Sequence, residues 1–351
     1  MVFDLLLKFL VAIVPVIAFL AVFSQLDVFD LISIREIAVI VAAGAGTALV
    51  SLQVNSGVLV TFPIETTDFT RYVAPIIEEC LKAIPIIVLF HRNRLGYKLD
   101  AGIAGFAIGA GFAMVENAWF LFQLADANLT TWLVRGLGTA IMHGGTTAVF
   151  ALVAHEMTER QAESSSDAYS LNLLYFIPGL VAAILIHSLF NHFSSLSIVT
   201  MILTLLLVPL VLFLTFAFNE KATSEWLQKD SDAHRKVLED IRSGKFADGP
   251  EGLAIKHIVG QSILGNVDDI FAYLLLKTEL VLRAEEMILE SQGEDFVDAG
   301  EAELEMFEQL MLLEGRISPA LLMKVEPHLG FSRNDLWELS QLKQHVEARY
   351  G

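Results

Sequence analysis

The sequence is poor in charge and almost without cysteine. Only 18% of its 351 residues are charged, whereas 54% are hydrophobic, which argues against an ordinary soluble protein of this size. Its single cysteine, Cys80, excludes an internal disulfide and any multi-cysteine metal cluster. No basic stripe is present and the net charge is −18, so nucleic acid is not expected as a partner, because the acidic balance repels phosphate. The opening residues, MVFDLLLKFLVAIVPVIAFLAVFSQ, carry an acid at Asp4 and lack a basic leading region. They are expected to be a retained span rather than a cleaved signal peptide. There is no internal repeat, and low-complexity sequence is confined to AESSSDA at 162–168, read as a solvated loop.

What the sequence does have is long apolar runs. A spanning helix needs about 20 mainly apolar residues, since hydrocarbon offers the backbone no other hydrogen-bond partner. Seven segments qualify, at roughly 3–23, 34–54, 71–90, 101–124, 131–154, 171–193 and 196–218. The second is the weakest, because Gly44, Gly46 and Gln53 interrupt it. Charge divides the chain near Asn219: residues 1–218 hold 9 Lys and Arg against 15 Asp and Glu, a net −6, and residues 219–351 hold 14 against 26, a net −12. The expected fold is therefore all-α. Residues 1–218 form a polytopic membrane helical bundle, and residues 219–351 an acidic, soluble helical domain of regulatory or interaction type.

That second domain shows helix signals and no catalytic spacing. Val267, Ile270, Phe271 and Leu274 make an amphipathic stripe. SPALLMKVEPHL opens with a serine cap and a proline, and Ser332 and Asp335 stand at capping-box spacing. The loop HRNRLGYKLD, with Arg92, Arg94 and Lys98, is the densest basic cluster beside any span, which places it in the cytoplasm. Counting seven spans from it puts the N-terminus outside and residues 219–351 in the cytoplasm, for a protein of the plasma (inner) membrane.

Several spans carry polar groups in their interiors. At 1.5 Å per helical residue, Glu78 lies about 10 Å below the outer end of its span, Glu116 about 12 Å, His143 about 18 Å, Arg135 about 6 Å and His187 about 9 Å, with Asn191 one turn higher. Four helices of alternating direction thus bring costly groups to the outer half of the bilayer. Unpaired, Glu78, Glu79, Lys82 and Glu116 would cost insertion about 10 kcal/mol or more, so a shared, hydrated pocket is the economical explanation. Glu78 and Lys82 are i, i+4, as are His187 and Asn191, so each pair shares a face. Glu79 is turned about 100° from Glu78 and can brace a neighbouring helix.

Other features are weaker. Lys82 serves equally as a neutralising partner of Glu78 or as a catalytic group, and Arg135 as a structural clamp on a carboxylate. Cys80 reads as small core filler, and His192 as an interface residue. AGIAGFAIGAG at 101–111 resembles a phosphate loop but sits inside a span, where small residues serve helix packing. HEMTE at 155–159 has Glu159 where a zinc-protease motif needs histidine, and is rejected.

Carboxylates, histidines and an amide in a wet intramembrane pocket suit general-base activation of water. His143 and His187 with a carboxylate could instead hold a zinc ion. A proton- or ion-coupled transporter fits the same residues, and a non-catalytic scaffold serving the acidic tail is a further alternative. EECLK at 78–82, FAMVEN at 112–117 with Glu116 and Asn117, the His143 segment, and HSLFN at 187–191 resemble, in order, the motifs of the PrsW intramembrane proteases, distant relatives of the CAAX prenyl proteases. The resemblance covers residues 70–195. It implies an intramembrane peptidase acting on a membrane-anchored protein near the extracytoplasmic side, as in regulated intramembrane proteolysis of anti-sigma factors. Glu78 would be the water-activating base supported by Glu79. Glu116, His143, His187 and Asn191 would complete the site, with Lys82, Arg135 and Asn117 supporting. Glu116 stands where the CAAX-type pattern has histidine. The implied partners are the substrate, the lipid bilayer and a cytoplasmic protein docked on residues 219–351.

Overall fold

The computed structural model describes residues 2–25, 32–92, 94–124, 126–164, 172–262, 266–290, 300–325, 328 and 330–350. The described residues are helical throughout and contain no strand. Two compact units divide the chain, Met1–Arg160 with Leu171–Asn219, and Gln161–Ser170 with Glu220–Gly351.

In the first unit the long helices are α1 (Val2–Gln25), α2 (Ile34–Thr61), α4 (Ala74–His91), α5 (Lys98–Gln123), α7 (Ala140–Ser164), α8 (Ile177–His192) and the first part of α9 (Ser197–Arg242). Short pieces lead into three of them. α3 (Thr66–Asp68) and a π-helical turn (Phe69–Val73) run into α4, α6 (Leu129–Val134) and a second π turn (Arg135–Thr139) run into α7, and a 3-10 turn (Leu173–Phe176) runs into α8. Another 3-10 turn (Ser194–Leu196) precedes α9. The solvated loop expected at 162–168 lies, from residue 165 onward, outside the described residues.

Among the described residues, six helical segments are long and apolar enough to cross a membrane, and α4 is not one of them. Its shortfall is charge, not length, because Glu78, Glu79 and Lys82 fall within eighteen residues. α4 nevertheless runs the full length of the bundle. Arg94, just beyond its end, meets Glu36 at the start of α2 at 3.5 Å, and Glu78 near its beginning meets Asn55 near the end of α2 at 3.0 Å. α2 itself extends to Thr61, beyond the expected limit at residue 54, and begins with a full capping box on Ser33 and Glu36.

α5 is the central helix, buried on all sides from Leu99 to Ala113. Small residues make this possible, since they let neighbouring backbones approach. A Cβ on Gly109 would stand 2.1 Å from the carbonyl oxygen of His143, so glycine is required there and directly seats the α7 segment that carries His143. The outer surface of the unit is apolar, with Leu203, Leu206, Leu207 and Leu210 of α9 exposed as a lipid-facing helix requires. Cys80 joins this outer face beside Ile76 and Ile84. It is exposed rather than core filler, because i, i+4 spacing places it with those two isoleucines.

The second unit packs the latter part of α9 with α10 (Lys245–Asp248), α11 (Pro250–Gly260), α12 (Val267–Glu290), α13 (Glu301–Arg316), α14 (Pro319–Val325) and α15 (Arg333–Tyr350). Its core includes Ile255, Val259, Ile270, Leu274, Leu310, Leu321, Leu342 and Val346, with Val267 and Phe271 packed against it. The expected caps form: Ser318 Oγ accepts from the Leu321 amide at 3.2 Å, and Ser332 and Asp335 accept from each other's amides at 3.1 and 2.7 Å.

Candidate active site in the membrane bundle

The charged residues of α4 separate according to helix geometry. Glu78 lines a cavity of 750 Å³ shared with Glu116, Arg135, His143, His187 and Asn191. Its Oε1 accepts from Asn55 Nδ2 at 3.0 Å. Glu79, one position on, is packed among neighbouring helices instead. Its Oε1 accepts from Lys82 Nζ at 2.6 Å and from Thr146 Oγ1 at 3.3 Å, and lies 2.7 Å from His187 Nδ1. The ion pair of Lys82 is therefore with Glu79, at i, i+3, and not with Glu78 as the i, i+4 spacing suggested. Lys82 is wholly buried, and the pair survives there because both charges are matched and hydrogen-bonded.

Lys82 also stands 3.1 Å from His143 Nδ1. Both histidine rings are thus held at Nδ1, His143 by Lys82 and His187 by Glu79, and turn Nε2 toward the carboxylates. His143 Nε2 lies 3.3 Å from Glu116 Oε2, and His187 Nε2 lies 3.8 Å from Glu78 Oε2. The two rings meet edge to face at 4.8 Å. Glu116 is secured from its far side, where Arg135 Nη2 donates to Oε2 at 2.9 Å and Arg135 Nε donates to Asn117 Oδ1 at 2.9 Å. Asn117 in turn donates to the Ala12 carbonyl at 2.9 Å and so ties α5 to α1. Asn191 lines the cavity while its Nδ2 donates to the Thr70 carbonyl at 2.8 Å, and Ser188 of α8 donates to the Arg71 carbonyl at 2.5 Å.

The nine residues singled out in the sequence thus lie in one neighbourhood of hydrogen bonds, ion pairs and shared cavity lining, built by α4, α5, the π turn Arg135–Thr139, α7 and α8. Two contributors were missed. Asn55 fell one residue beyond the expected end of the second span, and Thr146 carries a hydroxyl that looks unexceptional inside a helix. The polar run SLQVNSG was the available signal for the first. His192, set aside as an interface residue, bonds Tyr72 at 3.0 Å through Nε2.

The donor set fits a divalent metal. Glu78, His143 and His187 each offer one ligand atom, all within 4.8 Å of one another. Two imidazoles with one carboxylate is a ligand set of catalytic zinc sites. The Glu79 contact to His187 Nδ1 is the carboxylate partner that commonly orients a ligand histidine.

Residues 33–217 match the model of the PrsW family, described as an intramembrane metalloprotease family. The chain belongs to this family. It is an intramembrane peptidase and an integral membrane protein, and among the readings left open by the residues the transporter and the inert scaffold give way. No curated protein and no solved structure shows a significant match to the chain. The PrsW match ends near the division between the two units, so the family says nothing of residues 220–351.

Proposed function

We propose that this PrsW-family chain is an endopeptidase that hydrolyses a peptide bond of a membrane-anchored protein near the extracytoplasmic side, within regulated intramembrane proteolysis. The observation that supports the site assignment is the cavity lined by Glu78, Glu116, His143, His187 and Asn191. In this reading Glu78 accepts the proton of the attacking water and passes it to the leaving amine, in the manner of a positioned carboxylate base. Asn55 holds one Glu78 oxygen and leaves the other toward His187. Glu79 orients His187, Lys82 balances Glu79 and backs His143, and Arg135 fixes Glu116. In this reading the N–H donors lining the cavity would stabilise the negative charge that develops on the substrate carbonyl. In the alternative arrangement Glu78, His143 and His187 would together hold a metal, zinc being the ion their types suit, and it would supply a Lewis acid and a more acidic water in place of the free Glu78 base.

An apolar cavity of 370 Å³ between α7, α8 and α9 shares Phe190 and Thr200 with the site cavity. Its lining of Met142, Val149, Leu203 and Leu207 suits the apolar segment of a membrane-anchored substrate. Residues 219–351 are read as a cytoplasmic regulatory or partner-docking module. Deleting residues 225–351 is expected to alter activity or the set of bound proteins, and a change in neither sinks that part.

The test uses purified full-length protein and a library of membrane-anchored peptides. Glu78→Gln is expected to lower cleavage by about 10²- to 10⁴-fold, the range for loss of a general base. Cleavage at the wild-type rate overturns the assignment. Elemental analysis of His143→Ala and His187→Ala is expected to show about one bound ion per chain fewer than wild type.

A further inference from the structure

The second unit contains a polar cluster that the PrsW chemistry does not use. Asp230 and His234 stand at i, i+4 on α9 and so share a face. Glu285 comes from α12, and Asp335 from the first turn of α15. Glu285 is 0% exposed, Asp335 1% and His234 8%. His234 is therefore surrounded by three carboxylates in a place where carboxylates are normally avoided.

The contacts are of two kinds. His234 Nδ1 lies 2.6 Å from Glu285 Oε1, a short hydrogen bond. His234 Nε2 lies 3.4 Å from Asp335 Oδ2, too long for a strong one. Two ligands on a tetrahedral ion with bonds of about 2.1 Å stand about 3.4 Å apart, a spacing that the second contact also fits. Buried Asp230 Oδ2 and Glu285 Oε2 have no hydrogen-bond partner. The four residues each offer a ligand atom, and these lie within 4.8 Å of one another.

We propose that Asp230, His234, Glu285 and Asp335 form a divalent-cation site belonging to the C-terminal unit, which ties α9, α12 and α15 together. One imidazole among carboxylates selects a first-row ion such as Zn²⁺ or Mn²⁺ over Mg²⁺ and Ca²⁺, which take oxygen ligands. The orphaned oxygens are the observation that separates this cluster from an ordinary ion-pair network: a cation satisfies both. The Glu285 contact at Nδ1 would then orient the ring with Nε2 toward the ion. Among these four residues His234 alone can carry positive charge. Burial works against that charge, yet the neighbouring Asp335 and Glu285 carboxylates hold His234 up to about 10. Burial and the neighbouring Asp335 push Asp230 up to about 7.

The test separates this site from the membrane site by using full-length His143→Ala, His187→Ala protein, stripped with chelator and reloaded with ZnCl2 or MnCl2. Retention of about one ion per chain and a raised melting temperature are expected, since an ion that binds only the folded state stabilises it. Adding Asp230→Asn and Glu285→Gln should weaken Zn²⁺ binding by about 100-fold or more, beyond what loss of an outer-shell partner brings. No retained ion in the parent, or binding unmoved by the added substitutions, overturns the site and leaves His234 as the counter-charge. If the combined variant fails to fold by circular dichroism, Co²⁺ loaded into the parent decides the matter. The visible spectrum of an imidazole–carboxylate complex supports the site, and that of the hydrated ion overturns it.

Discussion

At the scale of single residues, the membrane site is held by a network in which the charged groups share partners. Arg135 is the clearest case. Its guanidinium donates to Glu116 and to Asn117 through different nitrogens, a forked geometry that lysine does not reproduce. Removing one partner of this partly buried pair leaves the other uncompensated, at a cost below the roughly 3–5 kcal/mol of a fully buried pair. Arg135→Ala is therefore expected to lower the melting temperature sharply, Arg135→Lys to recover part of it, and Glu116→Gln added to Arg135→Ala to restore stability. A double-mutant cycle showing simple additivity would remove the pair from the account. Glu78, Glu79, Lys82 and Glu116 were legible in the sequence because charge inside an apolar run is conspicuous. Their partnerships were not. Spacing allowed Lys82 to reach either glutamate, and the choice of Glu79 depends on Thr146 and His187 arriving from α7 and α8.

At the scale of elements, the site depends on how closely α5 and α7 pack. The small-residue run at 101–111 was readable as a helix-packing surface, but which glycine bears on the site was not, because that depends on the register between two helices distant in sequence. Gly109 faces the His143 carbonyl, where an added Cβ would stand at 2.1 Å against backbone that cannot rotate away. Gly109→Ala should push α7 outward, lowering both stability and cleavage, by about 10-fold or more in rate, since small displacements of catalytic groups cost about that much or more. Gly46 supplies the control. It sits in α2 with nothing within 4 Å of its virtual Cβ, so Gly46→Ala is expected to be neutral or to stabilise by up to about 1 kcal/mol through helix propensity. Equal behaviour of the two variants, read by thermal unfolding and peptide cleavage, would refute the packing argument.

At the scale of the whole molecule, orientation turns on whether α4 crosses the membrane, and it is the helix whose three charged residues set it apart from the other spans. The lateral contacts argue that it does. Glu36 at the start of α2, Arg94 after α4, Lys98 at the start of α5 and Glu156 near the end of α7 gather at one end of the bundle, where Arg94 pairs with Glu36 and Lys98 with Glu156. The opposite ends of α4 and α8 meet through the Thr70 and Arg71 carbonyls. We propose, on the positive-inside rule, that the end that carries Arg92, Arg94 and Lys98 is the cytoplasmic one, in which case parity returns α9 to that side. A membrane-impermeant thiol reagent is expected to label Glu65→Cys in intact cells, and Arg92→Cys and Ser243→Cys only after lysis. Labelling of Glu65 and Arg92 from the same side would mean that α4 does not cross. The insertion cost of its three charges would then be avoided by lying at the interface, and the outer-half placement of the site would fall with it.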